Sequence, residues 1–151
     1  MQRTLVWRGL DAPRMEIAHV EVQNGDLRAR GTQIGLSYEL RYELVPGRLQ
    51  AEVVGGPRVD LELDGSDHFD LGYSPLFNSL PMLRGLESAS PFVMAFVDVP
   101  SLEVTSSEQR YEPLGGTLVR FRSGTFVADL EFDDEGFVVR YEGLAERVGS
   151  R

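Results

Sequence analysis

The chain has 151 residues and a formal net charge of −9, with 42% hydrophobic and 26% charged residues, a composition that fits one globular domain over residues 1–151. It has no cysteine, no lysine and two histidines, which excludes disulfides, thiolate or lysine nucleophiles and cysteine-ligated metals, and we predict neither a metal nor a cofactor. The negative charge and the lack of any run of arginines argue against a nucleic-acid partner, and no apolar run reaches the ~20 residues of a membrane-spanning helix.

The first twenty residues contain no apolar signal-peptide region, so we expect a cytoplasmic protein. Trp7 is the only tryptophan, and it serves either as a core anchor or as a wall of a cavity. Residues 15–22 are apolar on both faces, and their apolar phase shifts near Ala18. This pattern predicts a strand that is covered on both sides or that carries a bulge.

Residues 36–45 show the clearest period of two, in which leucine and tyrosine alternate with polar residues, and this predicts a strand with one wet face. The same period recurs at residues 48–53, 59–64 and 125–132. Between these runs lie the turn sequences Asn24-Gly25, Pro46-Gly47, Gly55-Gly56-Pro57, Asp64-Gly65, Gly115-Gly116, Ser123-Gly124 and residues 133–136. Turn residues at such short intervals predict antiparallel hairpins.

The acidic stretch "DGSDHFD" at residues 64–70 could suggest a cation site, but its spacing matches no calcium loop, and Asp64-Gly65 is a natural turn. We therefore favour a solvated hairpin loop there. The next segment, "DLGYSPLFNSLPMLRGL" at residues 70–86, is apolar but irregular. It is the best candidate for a short helix, which Pro81 limits. Within it, Asn78 either caps a turn or contacts a ligand, and Arg84 is either a surface residue or is held by a partner such as Asp70.

Residues 91–100 are apolar on both faces, and residues 142–148 are a second candidate for a short helix. Gln109, Arg110 and Tyr111 end a predicted strand and form either the rim of a pocket or a polar strip at a sheet edge. The whole pattern predicts an all-β, mainly antiparallel protein of about ten strands. Such a sheet must hide its apolar face, so we expect one strongly curved sheet, a half-barrel or open barrel, with one or two short helical turns.

The residues resemble those of the putative glycolipid-binding family of bacterial proteins. The resemblance rests on "DLGYSPLFNSLPMLRGL" at 70–86, "VPSLEVTSSEQRYEPL" at 99–114, "DLEFDDEGFVVRYEGLAERV" at 129–148 and the opening "VWRGLDAPRMEIAHVEV" at 6–22. It implies a half-barrel similar in shape to lipoprotein-localisation carriers. The positions that match the family's motifs are Asp70, Asn78, Pro81, Arg84, Gln109, Arg110 and Tyr111. This chain has His68 where the family usually has an aspartate, and it is short through residues 45–70.

We therefore expect a binding protein, monomeric or homodimeric, that holds an amphipathic small molecule or glycolipid in the concave face of its sheet. The candidate ligand-binding residues are Trp7, Asp70, Tyr73, Phe77, Asn78, Arg84, Arg110 and Tyr111. No catalytic residue is assigned, and the serine-hydrolase motif GxSxG is absent. The alternatives are an enzyme that uses Asp70 and Arg84 as polar catalytic groups, and a structural or interaction domain in which residues 70–86 plug the open barrel.

Overall fold

The computed structural model describes residues 1–85 and 91–151, and in these residues one sheet of thirteen strands dominates the molecule. The strands are β1 (Gln2–Gly9), β2 (Arg14–Gln23), β3 (Asp26–Gly35), β4 (Glu39–Val45), β5 (Arg48–Val53), β6 (Arg58–Glu62), β7 (His68–Leu71), β8 (Pro91–Val97), β9 (Val104–Gly115), β10 (Leu118–Ser123), β11 (Phe126–Phe132), β12 (Val138–Tyr141) and β13 (Ala145–Ser150). A 3₁₀ helix at Pro75–Ser79 runs directly into a short α-helix, α1, at Leu80–Leu83.

The strand order is β6-β5-β4-β3-β2-β1-β13-β12-β11-β10-β9-β8-β7, and every pair is antiparallel except β7 with β8. The amino-terminal strand β1 pairs with both β2 and β13, so the two halves of the chain meet in the middle of the sheet. The edge strands β6 and β7 form no backbone pairing with each other among the described residues. The fold is thus an open, curved, mostly antiparallel sheet, which confirms the predicted fold class.

Local turn chemistry explains the hairpins. Asn24 and Gly25 connect β2 to β3 with φ angles of 54° and 80°. Two consecutive positive φ angles define the type I′ turn, whose twist matches that of the strands it joins. The register therefore runs without a break from Gln23↔Asp26 to Arg14↔Gly35.

Strand β2 differs from its prediction. Its pairing with β1 and β3 is regular over its whole length, so the expected bulge near Ala18 is absent. It is not covered on both sides either, because Met15 and Ile17 are exposed. The inward positions are taken by Ala18, Val20 and Glu16, and the last of these is a buried carboxyl in a position that normally holds an apolar residue.

Two further boundaries depart from the sequence pattern. Residues 142–148 were expected to form a short helix, but Ala145–Ser150 is strand β13, which bonds to β1 and β12. The predicted helix is wrong because the two flanking strands supply backbone hydrogen bonds to this segment, and these stabilise it more than an isolated turn of helix would. Strand β4 begins only at Glu39, and Leu36 is 84% exposed.

We call the face that carries the buried side chains the inner face. A large core cluster on this face joins Leu40 and Leu49, near one end of the sheet, with Phe69 and Leu71 at the other. Side-chain packing, rather than strand pairing, therefore holds the two ends together. A second cluster lies under β8–β12 and contains Met94, Tyr111, Val119, Phe121, Ala128, Leu130, Phe132, Val138 and Tyr141.

Residues 72–85, here called the central segment, cross the inner face, and the expected short helical turns within it are present. Phe77 packs edge-on against Tyr42 of β4, with ring centroids 5.5 Å apart. On the opposite side, the backbone N–H of Val138 donates to Ser79 Oγ at 3.3 Å. The segment thus bridges both halves of the sheet. Leu86, which ends the sequence motif, lies outside the described residues.

In residues 1–85 and 91–151, no helix has the length and apolar character that a membrane crossing needs.

Candidate functional site

Asp70 lies on edge strand β7 and is the centre of the candidate site. Its residue is 8% exposed, and Oδ2 accepts a hydrogen bond of 2.6 Å from Gln109 Nε2 of β9. The backbone N–H of Leu71 also favours the carboxylate form and lowers the pKa of the carboxyl. Burial raises the pKa of the Asp70 carboxyl to about 6, since the two neutral donors only partly replace the lost hydration.

Asp70 ends a chain of buried side-chain hydrogen bonds. Asn78 Nδ2 donates to the Tyr111 hydroxyl at 3.1 Å, and that hydroxyl donates to Gln109 Oε1 at 3.0 Å. Gln109 in turn donates to Asp70, so every bond in the chain runs from the central segment toward the carboxyl. The three predicted residues Asp70, Asn78 and Tyr111 are therefore brought together. Gln109 connects them, and it matched the family motif but was not among the candidate ligand-binding residues.

A cleft of about 490 Å³ opens above this hydrogen-bond chain on the inner face. Its lining comprises polar residues of the floor and rim, aromatic residues of the wall and a few others: Asp70, Leu71, Gly72, Tyr73, Ser74, Asn78, Phe96, Asp98, Thr105, Ser106, Ser107, Gln109, Phe121, Ser123, Phe126, Tyr141 and Leu144. Volumes of this size are typical of small-molecule sites. Two of the predicted residues that form the floor, Asp70 and Asn78, thus border open space.

One wall of the cleft is aromatic. Phe121 packs against Phe126 and Tyr141, with centroid distances of 6.0 and 6.1 Å, and Tyr111 lies beneath it at 5.3 Å. Phe126 is 51% exposed, so the cluster extends from the buried core to solvent. An apolar molecule that enters the cleft can cover this exposed ring surface.

Tyr73 lies at the edge of the cleft and is 42% exposed. Its φ angle is 62°, a conformation that is rare for a bulky residue and costs about 1–3 kcal/mol. The Arg14 guanidinium stacks on the ring, with Cζ 4.6 Å from the centroid. This cation–π contact helps to hold Tyr73, whose backbone is strained, at the mouth of the site.

A second buried carboxyl, Glu16, was not predicted from the sequence, and it anchors the start of the central segment. Its oxygens accept hydrogen bonds from Gln33 Nε2 at 2.9 Å, Tyr42 OH at 3.0 Å and Ser74 Oγ at 2.7 Å. Gln33 also donates to the Gly72 carbonyl at 3.2 Å. Burial raises the pKa of Glu16, although its three donors oppose that shift. The break in apolar phase at residues 15–22 was the one sequence signal that pointed to it.

Gly31 explains how Tyr42 reaches Glu16. The two residues face each other across β3 and β4, and a Cβ on Gly31 would lie 2.1 Å from Tyr42 Cζ. The tyrosine ring therefore lies flat over the glycine, in space that any side chain would fill. This is a case in which the absence of a side chain positions a polar group on the neighbouring strand.

The other candidate residues lie outside the cleft. Trp7 is buried, and its Nε1 donates to the Val138 carbonyl at 2.8 Å, while Phe77 is buried against Tyr42. Arg110 is exposed on β9, one residue away from the inward-facing Tyr111. Of the candidate ligand-binding residues Trp7, Tyr73 and Phe77, only Tyr73 borders the cleft.

Of the two alternatives for Arg84, the structure supports the surface position, and Arg84 does not pair with Asp70. Its side chain is exposed and lies 4.0 Å from Asp26 at the start of β3. The reason is that α1 ends at Leu83, which directs the following residue toward the β2–β3 turn and away from β7. An active site built from Asp70 and Arg84 together therefore has no geometric support.

The acidic stretch at residues 64–70 is spread over different environments. Asp64 and Gly65 form a turn with positive φ angles, Asp67 Oδ2 accepts the Val93 N–H at 2.7 Å, and His68 and Asp70 are buried. Burial lowers the pKa of His68 to about 4. Within the described residues, no group of three or more acidic or histidine side chains is arranged to hold a metal ion.

A larger concavity, about 1040 Å³, lies on the outer face of β2–β6. Its lining is mainly solvated polar side chains of both signs, including Arg58 and Glu52, which approach each other to 3.8 Å. Exposed pairs of this kind are screened by water. The inner cleft is the better candidate because its floor contains a buried carboxyl that borders open space.

Comparison with known proteins supports the family assignment. The structure is similar to a crystal structure of a DUF1089 family protein from Pseudomonas aeruginosa, with a TM-score of 0.58 and 24% identity over 91% of this chain and 79% of that one. At this identity the likeness shows the fold alone. A comparison with curated proteins found no match. Residues 52–147 match the model of a family described as "Putative glycolipid-binding", and the chain therefore belongs to that family.

Proposed function

We propose that this protein binds an amphipathic small molecule in the inner cleft. The observation that carries the proposal is the juxtaposition, within about 490 Å³, of a partly exposed aromatic wall and a buried polar floor. An apolar tail would cover Phe121 and Phe126, and a polar head would approach Asp70 and its hydrogen-bond chain. The description of the family, which names glycolipids, is consistent with such a molecule.

Apolar contacts in the cleft can by themselves supply enough free energy to bind an amphipathic molecule. Each methylene removed from water contributes about 0.8 kcal/mol, so a tail of ten contributes about 8 kcal/mol, equivalent to a dissociation constant near one micromolar. The costs of immobilising the molecule reduce this value. Polar contacts at the head are therefore needed mainly for selectivity and for a moderate gain in affinity.

Hydroxyl groups at the rim favour a head that bears several hydroxyls. Thr105 and Ser107 of β9 and Ser123 of β10 line the same part of the cleft, and the last two have their Oγ atoms 3.4 Å apart. A hydroxyl can both donate and accept, so such a strip complements a sugar in more than one orientation.

The central segment has a structural role in the core in addition to its role in the proposed binding site. Leu76 and Phe77 fill the inner face between the two halves of the sheet, which restricts the open volume to the side under β8–β12. A purely structural domain would need no exposed aromatic wall at the remaining opening. The proposed function thus assigns the central segment to the floor of the cleft and to the core at the same time.

The test is a calorimetric titration of the purified protein with decyl glucopyranoside below its micelle concentration. We expect saturable binding with one site. Ser123→Trp fills the cleft and should abolish binding, whereas Arg122→Trp, one residue away on the outer face of β10, should leave it unchanged. Circular dichroism verifies that both variants are folded.

A second pair of variants tests the aromatic wall. Phe126→Ala removes an exposed ring and should weaken binding by about fivefold, on the basis of roughly 1 kcal/mol of lost apolar contact. Val127→Ala on the outer face is the matched control. Equal binding by Ser123→Trp and the wild-type protein would refute the proposed function, as would a wild-type protein that binds no ten-carbon amphiphile, whether its head is neutral or charged.

A further inference from the structure

The lining of the inner cleft is acidic. It contains two carboxylates, Asp70 at the floor and Asp98 at the rim, and among the described lining residues there is no arginine or histidine. Asp98 is exposed and accepts a hydrogen bond from Ser101 Oγ at 2.7 Å. The whole protein carries a formal charge of −9, which adds a field that repels anions at long range.

The charge of Asp70 has no counter-ion among the described residues. The ionisable and polar groups around it come from β7, β9, the 3₁₀ helix and β12, and they are His68, Gln109, Tyr111, Asn78 and Tyr141. None is cationic at neutral pH, because burial lowers the pKa of His68 to about 4. A buried carboxylate without a positive partner is unfavourable, and a cation that enters the cleft would relieve that cost.

Arg14, which contacts two residues of the cleft lining, and Arg84 of the central segment interact with other groups. Arg14 donates to Asp11 Oδ1 at 2.7 Å and to the Leu144 carbonyl at 3.1 Å, and it stacks on Tyr73 from outside the cleft lining. Arg84 is exposed beside Asp26. No guanidinium therefore competes with a ligand for the Asp70 carboxylate.

The aromatic rings of the cleft suit a cation as well as an alkyl chain. Phe96, Phe121 and Phe126 line the same space as Asp70, and the faces of such rings attract positive charge. Resting on the function proposed above, we infer that the cleft selects amphiphiles whose head carries a positive charge, an ammonium on a sugar included, over neutral and anionic ones. The ammonium contacts Asp70, and the tail lies along the aromatic wall.

Three probes with the same ten-carbon tail test this selectivity: decyltrimethylammonium, decyl glucopyranoside and decyl sulfate, each titrated below its micelle concentration. We expect the ammonium to bind about tenfold or more tightly than the glucoside, since a contact with a buried charge contributes more than a neutral one. The sulfate should bind most weakly. The ammonium probe keeps its charge at every pH, so its affinity should fall as the pH is lowered from 7.5 to 5, through the pKa of about 6 of Asp70.

The Asp70→Asn variant isolates the carboxylate. It keeps the size of the side chain and should bring the ammonium-to-glucoside affinity ratio close to one. Asp134→Asn removes the same charge from an exposed turn and should leave the ratio as in the wild type. If Asp70→Asn does not fold, Asp98→Asn at the exposed rim provides the comparison, with an expected fall of the ratio of about twofold.

The experiment distinguishes failure of the inferred charge selectivity from failure of the proposed function. Glucoside or sulfate binding as tight as that of the ammonium would overturn the inference while leaving the proposed function intact, as would an unchanged ratio in Asp70→Asn. If none of the three probes binds, both the inference and the proposed function are overturned.

Discussion

The buried carboxyl of Asp70 should make the stability of this protein depend on pH in a specific way. In the folded protein, burial raises the pKa of Asp70 from 3.8 to about 6. The folded state therefore holds a proton between these values that the unfolded chain has released. The resulting stabilisation is fully present below about pH 4 and is lost as the pH rises through about 6.

The magnitude follows from the same shift. A difference of about two pKa units corresponds to roughly 3 kcal/mol of unfolding free energy. Asp70→Asn removes this dependence because an amide does not titrate. The amide has one acceptor oxygen where the carboxylate has two, and the weaker interaction with Gln109 and Leu71 costs about 1 kcal/mol at every pH.

The assay is urea unfolding of ligand-free wild-type protein and Asp70→Asn at fixed ionic strength between pH 4 and 7.5. The unfolding free energy of the wild type should fall by about 2.5 kcal/mol relative to that of the variant over this range, and a constant offset between the two proteins does not affect this change. Asp134→Asn corrects for the change in net charge. If the free energies of unfolding of the wild type and Asp70→Asn differ by the same amount at every pH, Asp70 is not a buried carboxyl without a counter-ion.

Three further substitutions test the packing of the inner face, each by urea unfolding. Glu16→Ala leaves three hydrogen-bond donors without their acceptor and should lower the free energy of unfolding by about 3–5 kcal/mol. Glu16→Gln keeps the shape of the side chain and should lower it by about 1 kcal/mol. Equal losses in the two variants would show that these hydrogen bonds do not stabilise the protein. Gly31→Ala places a Cβ 2.1 Å from the Tyr42 ring and should cost about 1–3 kcal/mol, but Gly149→Ala, with its nearest neighbour at 3.9 Å, should change stability by less than about 0.5 kcal/mol. Phe77→Ala removes a fully buried ring of the central segment and should cost about 3–5 kcal/mol; a cost below about 1 kcal/mol would show that the segment does not anchor the two halves of the sheet.

Part of the candidate site could be predicted from the sequence. Asp70, Asn78 and Tyr111 were selected because they match family motifs, and the structure brings them into one hydrogen-bond chain. Their assignment to ligand binding stays a prediction. The aromatic wall formed by Phe121 and Phe126 was missed, because Phe126 is an ordinary inward position of the alternating run at residues 125–132 and no motif pointed to Phe121. Which inward residues border open space depends on how much of the inner face the central segment covers.

Arg84 and residues 142–148 illustrate the limit of local patterns. The sequence left two alternatives for an arginine in this apolar segment, a surface position or a partner such as Asp70, and the end of α1 directs Arg84 to the surface beside Asp26. Residues 145–150 have no strong local preference, and their strand conformation comes from pairing with β1, which is more than a hundred residues away in the chain. Neither outcome is encoded in the neighbouring residues.

The sequence by itself determined the all-β class, the hairpin turns and the short helical interruption, because the period of two, the Asn-Gly and Asp-Gly turns and the prolines act within a few residues. Only the tertiary structure decided that Glu16 points inward, that β1 joins β13 and that the cleft lies under β8–β12. These features depend on long-range strand register and on how the central segment packs. Both are decided by the free energy of the whole sheet, in which a buried carboxyl is tolerated where distant residues supply its hydrogen bonds.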